Sequence, residues 1–212
     1  MKLDRHIGDS VTPVIPPAER APASRVPDDA LLDAARTCVL AAGVRRTTLT
    51  DIARTAGVSR MTLYRRFPDV RSVLAALMTR EFGALLHRVG ATIDESRPAR
   101  ARLVELAVSA VGVLVADPLL RTVLDRDAAL LLPYVTERLG STQRLAEAGL
   151  TALVADGHAD GSVRRAEPTA QVRALLLTVQ SFVLAWRPAT RGVPGDALLA
   201  ELRHLLDRSL AP

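Results

Sequence analysis

Residues 48–67, TLTDIARTAGVSRMTLYRRF, place two short helix-forming segments on either side of a glycine. Thr48 and Asp51 have the spacing of a capping box, in which each side chain satisfies a free backbone group of the first helical turn. Gly57 is suited to ending the first helix because glycine adopts a positive φ at little cost. Ser59 is suited to capping the second helix. The pattern therefore predicts two helices joined by a tight turn.

The small and apolar residues of this segment fit a helix-turn-helix. Ala53 allows the two helices to cross closely, and Leu63 docks the second helix. In such a unit the second helix lies in the DNA major groove, with its N-terminal residues nearest the base edges. The residues at that end are Ser59, Arg60, Met61 and Thr62. Tyr64 and Arg65 lie further along on the outside of the helix, where a phenol and a guanidinium are good phosphate ligands. Arg66 is expected to be solvated rather than in contact with DNA.

The charge of the chain is concentrated in the same region. The whole chain has a net charge of +5, and residues 43–71 contain seven arginines and only two aspartates. The remaining acidic and basic residues balance, so this segment carries the entire excess. Such clustering is typical of a surface that binds a polyanion. A solvated, arginine-rich surface is the alternative that charge alone leaves open.

Composition indicates an all-α protein. Apolar residues make up 49% of the chain but aromatic residues only 3%, which favours helices over strands. The single cysteine and four scattered histidines predict no internal disulfide and no metal site. No apolar run approaches the roughly 20 residues of a membrane span. We therefore expect a cytoplasmic protein without cofactor, metal or membrane partner.

Periodicity and helix-breaking residues divide the chain into four parts. The predicted parts are a flexible arm (1–27), a small N-terminal domain that contains the helix-turn-helix (28–70), a connecting helix (69–90) and an all-helical C-terminal domain (98–212). Asp28 or Asp29 is expected to cap the first helix. In the C-terminal half, breaks are predicted at Asp117-Pro118, at Pro133, between Gly157 and Pro168, and between Pro188 and Gly195.

Residues 47–78, TTLTDIARTAGVSRMTLYRRFPDVRSVLAALM, resemble the DNA-binding domain of the tetracycline-repressor (TetR) family of transcription regulators. The resemblance implies that Thr48 and Tyr64 contact phosphate. Family members usually place a phosphate-binding lysine where this chain has Val70, and the neighbouring Arg71 is a candidate replacement, turned about 100° around the helix. The predicted DNA-binding residues are Thr48, Thr50, Ser59, Arg60, Met61, Thr62, Tyr64, Arg65 and Arg71.

The resemblance also implies a homodimer in which the last two long helices of each subunit pair across a two-fold axis. Two apolar stripes in residues 169–210 suit this role, although an internal core fits half of each stripe equally well. The residues predicted to lie at the dimer interface are Val172, Leu176, Val179, Val183, Leu198, Leu202, Leu205 and Leu206.

A small-molecule effector pocket is implied among the helices between residues 100 and 186, where its occupancy would shift the connecting helix and the spacing of the two DNA-binding heads. The candidate polar lining residues are His87, Asp125, Tyr134, Gln143 and Gln180, each of which also fits a surface group or an internally bonded group. Because aromatic side chains are scarce, we expect an apolar effector rather than an aromatic cation.

Together these features predict a ligand-responsive, dimeric transcriptional repressor that binds a palindromic double-stranded DNA operator. Two other functions remain open from the sequence. One is a non-specific nucleic-acid-binding protein, and the other is a helical enzyme with a basic surface. The enzyme is disfavoured because the sequence contains no recognisable nucleophile–base pair, phosphate-binding glycine loop or metal-ligand spacing.

Overall fold

A computed structural model describes residues 27–131, 137 and 139–212, and all regular structure in these residues is helical. The α-helices are α1 (Asp28–Ala42), α2 (Leu49–Thr55), α3 (Arg60–Arg66), α4 (Val70–Gly90), α5 (Ala99–Ala116), α6 (Pro118–Asp127), α7 (Ser141–Ala159), α8 (Pro168–Ala189) and α9 (Gly195–Leu210). A 3₁₀ turn, Ala128–Leu131, follows α6. The all-α prediction is confirmed. The predicted arm lies outside the described residues except for Pro27.

The N-terminal helices enclose a small core, here called the head cluster. Its side chains come mainly from α1, α2, α3 and the first half of α4, with two more from α6, and those with no exposed surface include Leu31, Ile52, Leu63, Val73 and Leu77. Burying a side chain of this size contributes roughly 1.5–3 kcal/mol. The head cluster therefore fixes the two short helices, which are too short to be stable alone.

The C-terminal helices form a larger core, here called the body cluster. Helix α5 lies at its centre, with α7, α8 and α9 packed against it. Its fully buried side chains are Leu103, Val111, Val154 and Leu202. Helix α4 belongs to both cores, because Val73 and Leu77 lie in the head cluster and Phe82 lies in the body cluster. The long helix predicted between the two halves thus connects them directly.

Helix α6 is a second connection between the two cores. Leu119 and Val123 lie in the head cluster, whereas Leu120, next along the chain from Leu119, lies in the body cluster. The rotation of about 100° per residue explains how one helix presents two apolar faces. Any displacement of α6 relative to α5 and α8 therefore acts on the packing of the head cluster.

Three predicted helix boundaries differ from the structure. Helix α1 has Pro27 at its N-cap without a side-chain cap, and Asp28 and Asp29 lie inside its first turn. Gly157 lies within α7, which ends at Ala159, and glycine is required there because an added Cβ would overlap Val163. Pro188 is accommodated in the last turn of α8, which ends one residue later.

No single helix in the described residues is long and apolar enough to cross a membrane. Among these residues, α5 and the segment 118–131 are together long and apolar enough, but the chain bends by 65° between them.

Candidate nucleic-acid interface

The N-terminus of α2 carries the predicted capping box. The Asp51 amide donates to the Thr48 hydroxyl oxygen at 3.1 Å, and the Thr48 hydroxyl donates to the Asp51 carboxylate at 2.6 Å. The Thr48 amide also donates to this carboxylate. These hydrogen bonds, the hydroxyl contact first among them, hold the pKa of Asp51 below its usual value. The local sequence alone thus fixes where α2 begins.

The turn between α2 and α3 is a Schellman motif. The Val58 amide donates to the Ala53 carbonyl at 3.0 Å, and the Gly57 amide donates to the Arg54 carbonyl at 3.2 Å. Gly57 has φ of 66°, in the left-handed region that glycine tolerates best. The motif satisfies the last carbonyls of α2 and turns the chain directly into α3.

Helix α3 has one buried side and one exposed side. Ser59 caps it by accepting the Thr62 amide at 3.1 Å, and Leu63 is fully buried in the head cluster. On the other side Met61 is 75% exposed and Tyr64 is 44% exposed. Exposure of two large side chains on a seven-residue helix cannot be explained by packing within the subunit, and the predicted outward direction of Tyr64 is confirmed.

The arginines around α3 fall into two groups. Arg60, Arg65 and Arg71 are exposed and form no salt bridge with any described residue. Arg66, by contrast, binds the Asp28 carboxylate at 2.6 Å and is 29% exposed. The expectation that Arg66 is merely solvated is therefore wrong, because this ion pair ties the end of α3 to the start of α1.

The start of α4 lies beside this exposed surface. Asp69 accepts the Ser72 amide at 2.7 Å and so caps the helix. Val70 is half-buried against the head cluster, whereas Arg71 is exposed. Thr48 and Thr50, at the start of α2, are exposed as well. The nine predicted DNA-binding residues thus sit at the N-termini of α2 and α4 and along α3, and their contacts with DNA stay a prediction.

The turn between α1 and α2 is held by the C-terminal end of α6. The buried Asp127 carboxylate accepts the Val44 amide at 2.7 Å, and Arg126 donates to the Ala41 carbonyl at 3.2 Å. Arg45 lies 3.5 Å from the same carboxylate. This attachment was not predicted, because no sequence pattern pairs residues that are more than eighty positions apart.

Those predicted effector-lining residues that the structure describes do not line one common site. Asp125 lies in a groove between α5, α6 and α8 and forms an ion pair with Arg187. The Gln143 side-chain amide donates to Gln180 at 2.5 Å, which bridges α7 and α8. His87 is exposed near the end of α4 and does not line the groove. Tyr134 lies outside the described residues.

The predicted dimer stripes mostly face inward. Val172, Leu176, Val183, Leu202 and Leu206 are buried in the subunit's own body cluster. Side chains with this little exposed surface offer little to a partner, so the internal-core interpretation of these five fits the structure. Val179 and Leu198 are half-buried. Of the eight predicted residues, only Leu205 is mostly exposed, at 54%. Leu177 of α8, which was not predicted, is 60% exposed.

No group of three or more metal-ligating side chains occurs within residues 27–131 and 139–212.

Comparison with known proteins agrees with this geometry. Residues 31–77 match the sequence model of the bacterial regulatory proteins of the tetR family. An uncharacterized HTH-type transcriptional regulator of Mycobacterium bovis is 37% identical over 177 residues, which cover 84% of this chain and 90% of the relative.

Solved structures share the fold at lower identity. FadR of Bacillus subtilis, in complex with stearoyl-CoA, has a TM-score of 0.64 at 20% identity and covers 86% of this chain and 98% of its own. SmeT, in complex with triclosan, has a TM-score of 0.63 at 20% identity and covers 87% and 91%. From the family match and the Mycobacterium relative, the chain belongs to the tetR family of bacterial transcriptional regulators.

Proposed function

We propose that this protein is a dimeric repressor that binds a palindromic operator and is released by a small effector with a large apolar part. The observation that carries the proposal is the exposed side of α3. It presents Met61 and Tyr64 to solvent beside arginines that have no acidic partner among the described residues. An exposed surface that combines apolar side chains with cations lacking acidic partners among the described residues is suited to bind the base edges and phosphates of DNA.

Roles follow from position on α3. Arg60, at the first turn, is placed to bind guanine in the major groove, with Met61 and Thr62 against thymine methyl groups. Tyr64 and Arg65 lie towards the end of the helix and bind phosphates on the flanking backbone. In the proposed complex, Arg60 therefore specifies sequence, whereas Tyr64 supplies affinity without specificity.

The proposed dimer uses the outward sides of α8 and α9. Leu177 lies opposite the buried side of α8, and small residues flank it at Ala174 and Ser181, all exposed. Leu205 is the exposed leucine of α9. A two-fold axis through this surface would bring each patch against its own copy, as a self-complementary interface requires.

Sedimentation equilibrium tests this interface. Leu177→Arg is expected to shift the protein to monomer, because it places a charge at the centre of an apolar contact. Leu145→Arg, at a leucine of α7 that is 49% exposed, is the matched control and should leave the dimer intact. A Leu177→Arg protein that still sediments as a dimer would contradict the proposed surface.

The effector part of the proposal is supported by two proteins of the same fold. FadR is in complex with stearoyl-CoA and SmeT with triclosan, and each molecule has a large apolar part, the acyl chain in the first and the chlorinated rings in the second. In this chain the groove between α5, α6 and α8 reaches the body cluster, and α6 also holds the α1–α2 turn. An effector that displaces α6 would favour a state in which the two heads no longer fit the operator.

Selection of bound DNA from a library of random duplexes tests the function as a whole. The expected result is enrichment of a palindrome whose half-sites lie about 34–36 Å apart, or a multiple of this, as two recognition helices of a dimer require. Recovery of unenriched sequences would instead support the non-specific nucleic-acid-binding alternative.

A further inference from the structure

The groove between α6 and the C-terminal halves of α5 and α8 has an apolar floor. Its volume is about 560 Å³, within the range of roughly 300–1,000 Å³ that is usual for small-molecule sites. Leu120 and Val183 form part of the floor and are buried in the body cluster, and Trp186 is partly buried beside them. The floor therefore suits an aliphatic chain or an apolar ring.

The rim of the same groove is cationic. Arg121 on α6 and Arg187 and Arg191 at the end of α8 line it, with Asp125 as the only acidic residue among the lining side chains. Arg187 pairs with Asp125, whereas Arg121 and Arg191 form no salt bridge with any described residue. The rim thus carries a net charge of about +2 directly above apolar surface.

We propose that this groove binds an organic anion, with its apolar body on the floor and a carboxylate or phosphate group between Arg121 and Arg191. Guanidinium groups bind such oxyanions in a bidentate manner. The Arg187–Asp125 pair is mostly exposed and so contributes little to stability. The acidic group of the ligand can therefore displace Asp125 and recruit Arg187 at small cost.

The position of the groove gives this ligand a route to the DNA-binding head. Leu120 and Arg121 face the groove, while Leu119 and Val123 of the same helix pack in the head cluster. An anion drawn between α6 and α8 changes the position of α6 relative to α8. In this respect the inference rests on the proposed function, because it makes the organic anion the effector.

Binding can be measured without DNA, since Trp186 is the only tryptophan of the chain and lines the groove. The probes are decanoate, decanol and decyltrimethylammonium, which share a chain length and differ in the charge of the polar end. Decanoate is expected to change Trp186 emission saturably, with one site per chain in calorimetry, and to bind at least about tenfold more tightly than the other two.

The double substitution Arg121→Gln with Arg191→Gln should weaken decanoate binding by at least about tenfold and leave decanol binding unchanged. Arg165→Gln, at an exposed arginine before the opposite end of α8, is the matched control and should bind decanoate as the wild type does. Rising NaCl concentration should weaken decanoate binding in the wild-type protein, a readout that requires no variant.

Equal affinity for decanoate and decyltrimethylammonium, many equivalents bound per chain, or an unchanged affinity in the double variant would overturn the inference. The operator is assayed separately. If decanoate binds in the groove but never releases operator DNA, the anion site stands and the effector part of the proposed function fails. If a neutral effector releases DNA while decanoate does not bind, the anion site fails and the repressor function stands.

Discussion

Replacing Asp127 with alanine tests whether α6 holds the α1–α2 turn. The Asp127 carboxylate accepts the Val44 amide at 2.7 Å, and both residues are buried. Alanine removes the acceptor and leaves a buried amide without a partner, which costs about 1–3 kcal/mol. For a protein of this size, 1 kcal/mol lowers the Tm by about 2–4 °C. Asp127→Ala should therefore unfold roughly 2–12 °C below the wild type.

Comparison of Asp127→Asn with Asp127→Ala separates the contribution of the hydrogen bond to stability from that of the charge. Asp127→Asn retains an oxygen acceptor for Val44 and loses only the contact with Arg45, which is 67% exposed and so contributes less than about 1 kcal/mol. Differential scanning calorimetry gives the Tm, and amide hydrogen exchange at Val44 reports the turn directly. Glu95→Ala, at an exposed carboxylate, is the control. An Asp127→Ala protein indistinguishable from this control in both measurements would refute the role of Asp127.

Three further predictions concern the DNA-binding head. Tyr64→Phe should weaken binding roughly tenfold or more on every duplex, because it removes a hydrogen bond to phosphate, and fluorescence anisotropy measures this. Arg60→Ala should cost about 1–3 kcal/mol and relax the preference at one base pair, which random-duplex selection shows; an unchanged preference would contradict its role. The pKa of Asp51 lies below its usual value, so its stabilising contribution is present above the ordinary aspartate pKa and is lost as the pH falls through the lowered value. Thr48→Ala should raise this pKa towards its usual value in a carboxyl NMR titration.

Local features of the DNA-binding head could be predicted because their causes lie within a few residues. The Thr48–Asp51 box, the positive φ of Gly57 and the Ser59 cap each depend on side chains no more than three positions apart. The exposure of Tyr64 follows from helical periodicity once Leu63 is assigned to the core.

Other features depend on contacts that are distant in sequence. Glycine is required at position 157 of α7 because Val163 packs where a Cβ would lie, and Arg66 is held by Asp28. The Asp127–Val44 bond joins two helices whose proximity follows from the whole fold. None of these partners follows a local sequence pattern. The sequence therefore placed the end of α7 slightly too early, at Gly157 instead of Ala159, and predicted a solvated arginine and no Asp127–Val44 contact.

The apolar stripes of α8 and α9 show a limit of periodicity. Periodicity identifies a continuous apolar side but not what covers it, and here α5 and α7 cover it within the subunit. The isolated Leu177 lies on the opposite side and therefore contributes nothing to the pattern. The sequence also does not show which partners the predicted effector residues have. Gln143 and Gln180 bind each other between α7 and α8, whereas Asp125 binds Arg187 in the groove.

We propose that the exposed side of α3 recognises a specific DNA sequence. The most direct test compares the affinity for the palindrome obtained by selection with the affinity for a scrambled duplex of equal length. Both are measured by fluorescence anisotropy at one fixed salt concentration. We expect tighter binding to the palindrome, by at least about 10³-fold. Equal affinity for the two duplexes would contradict it.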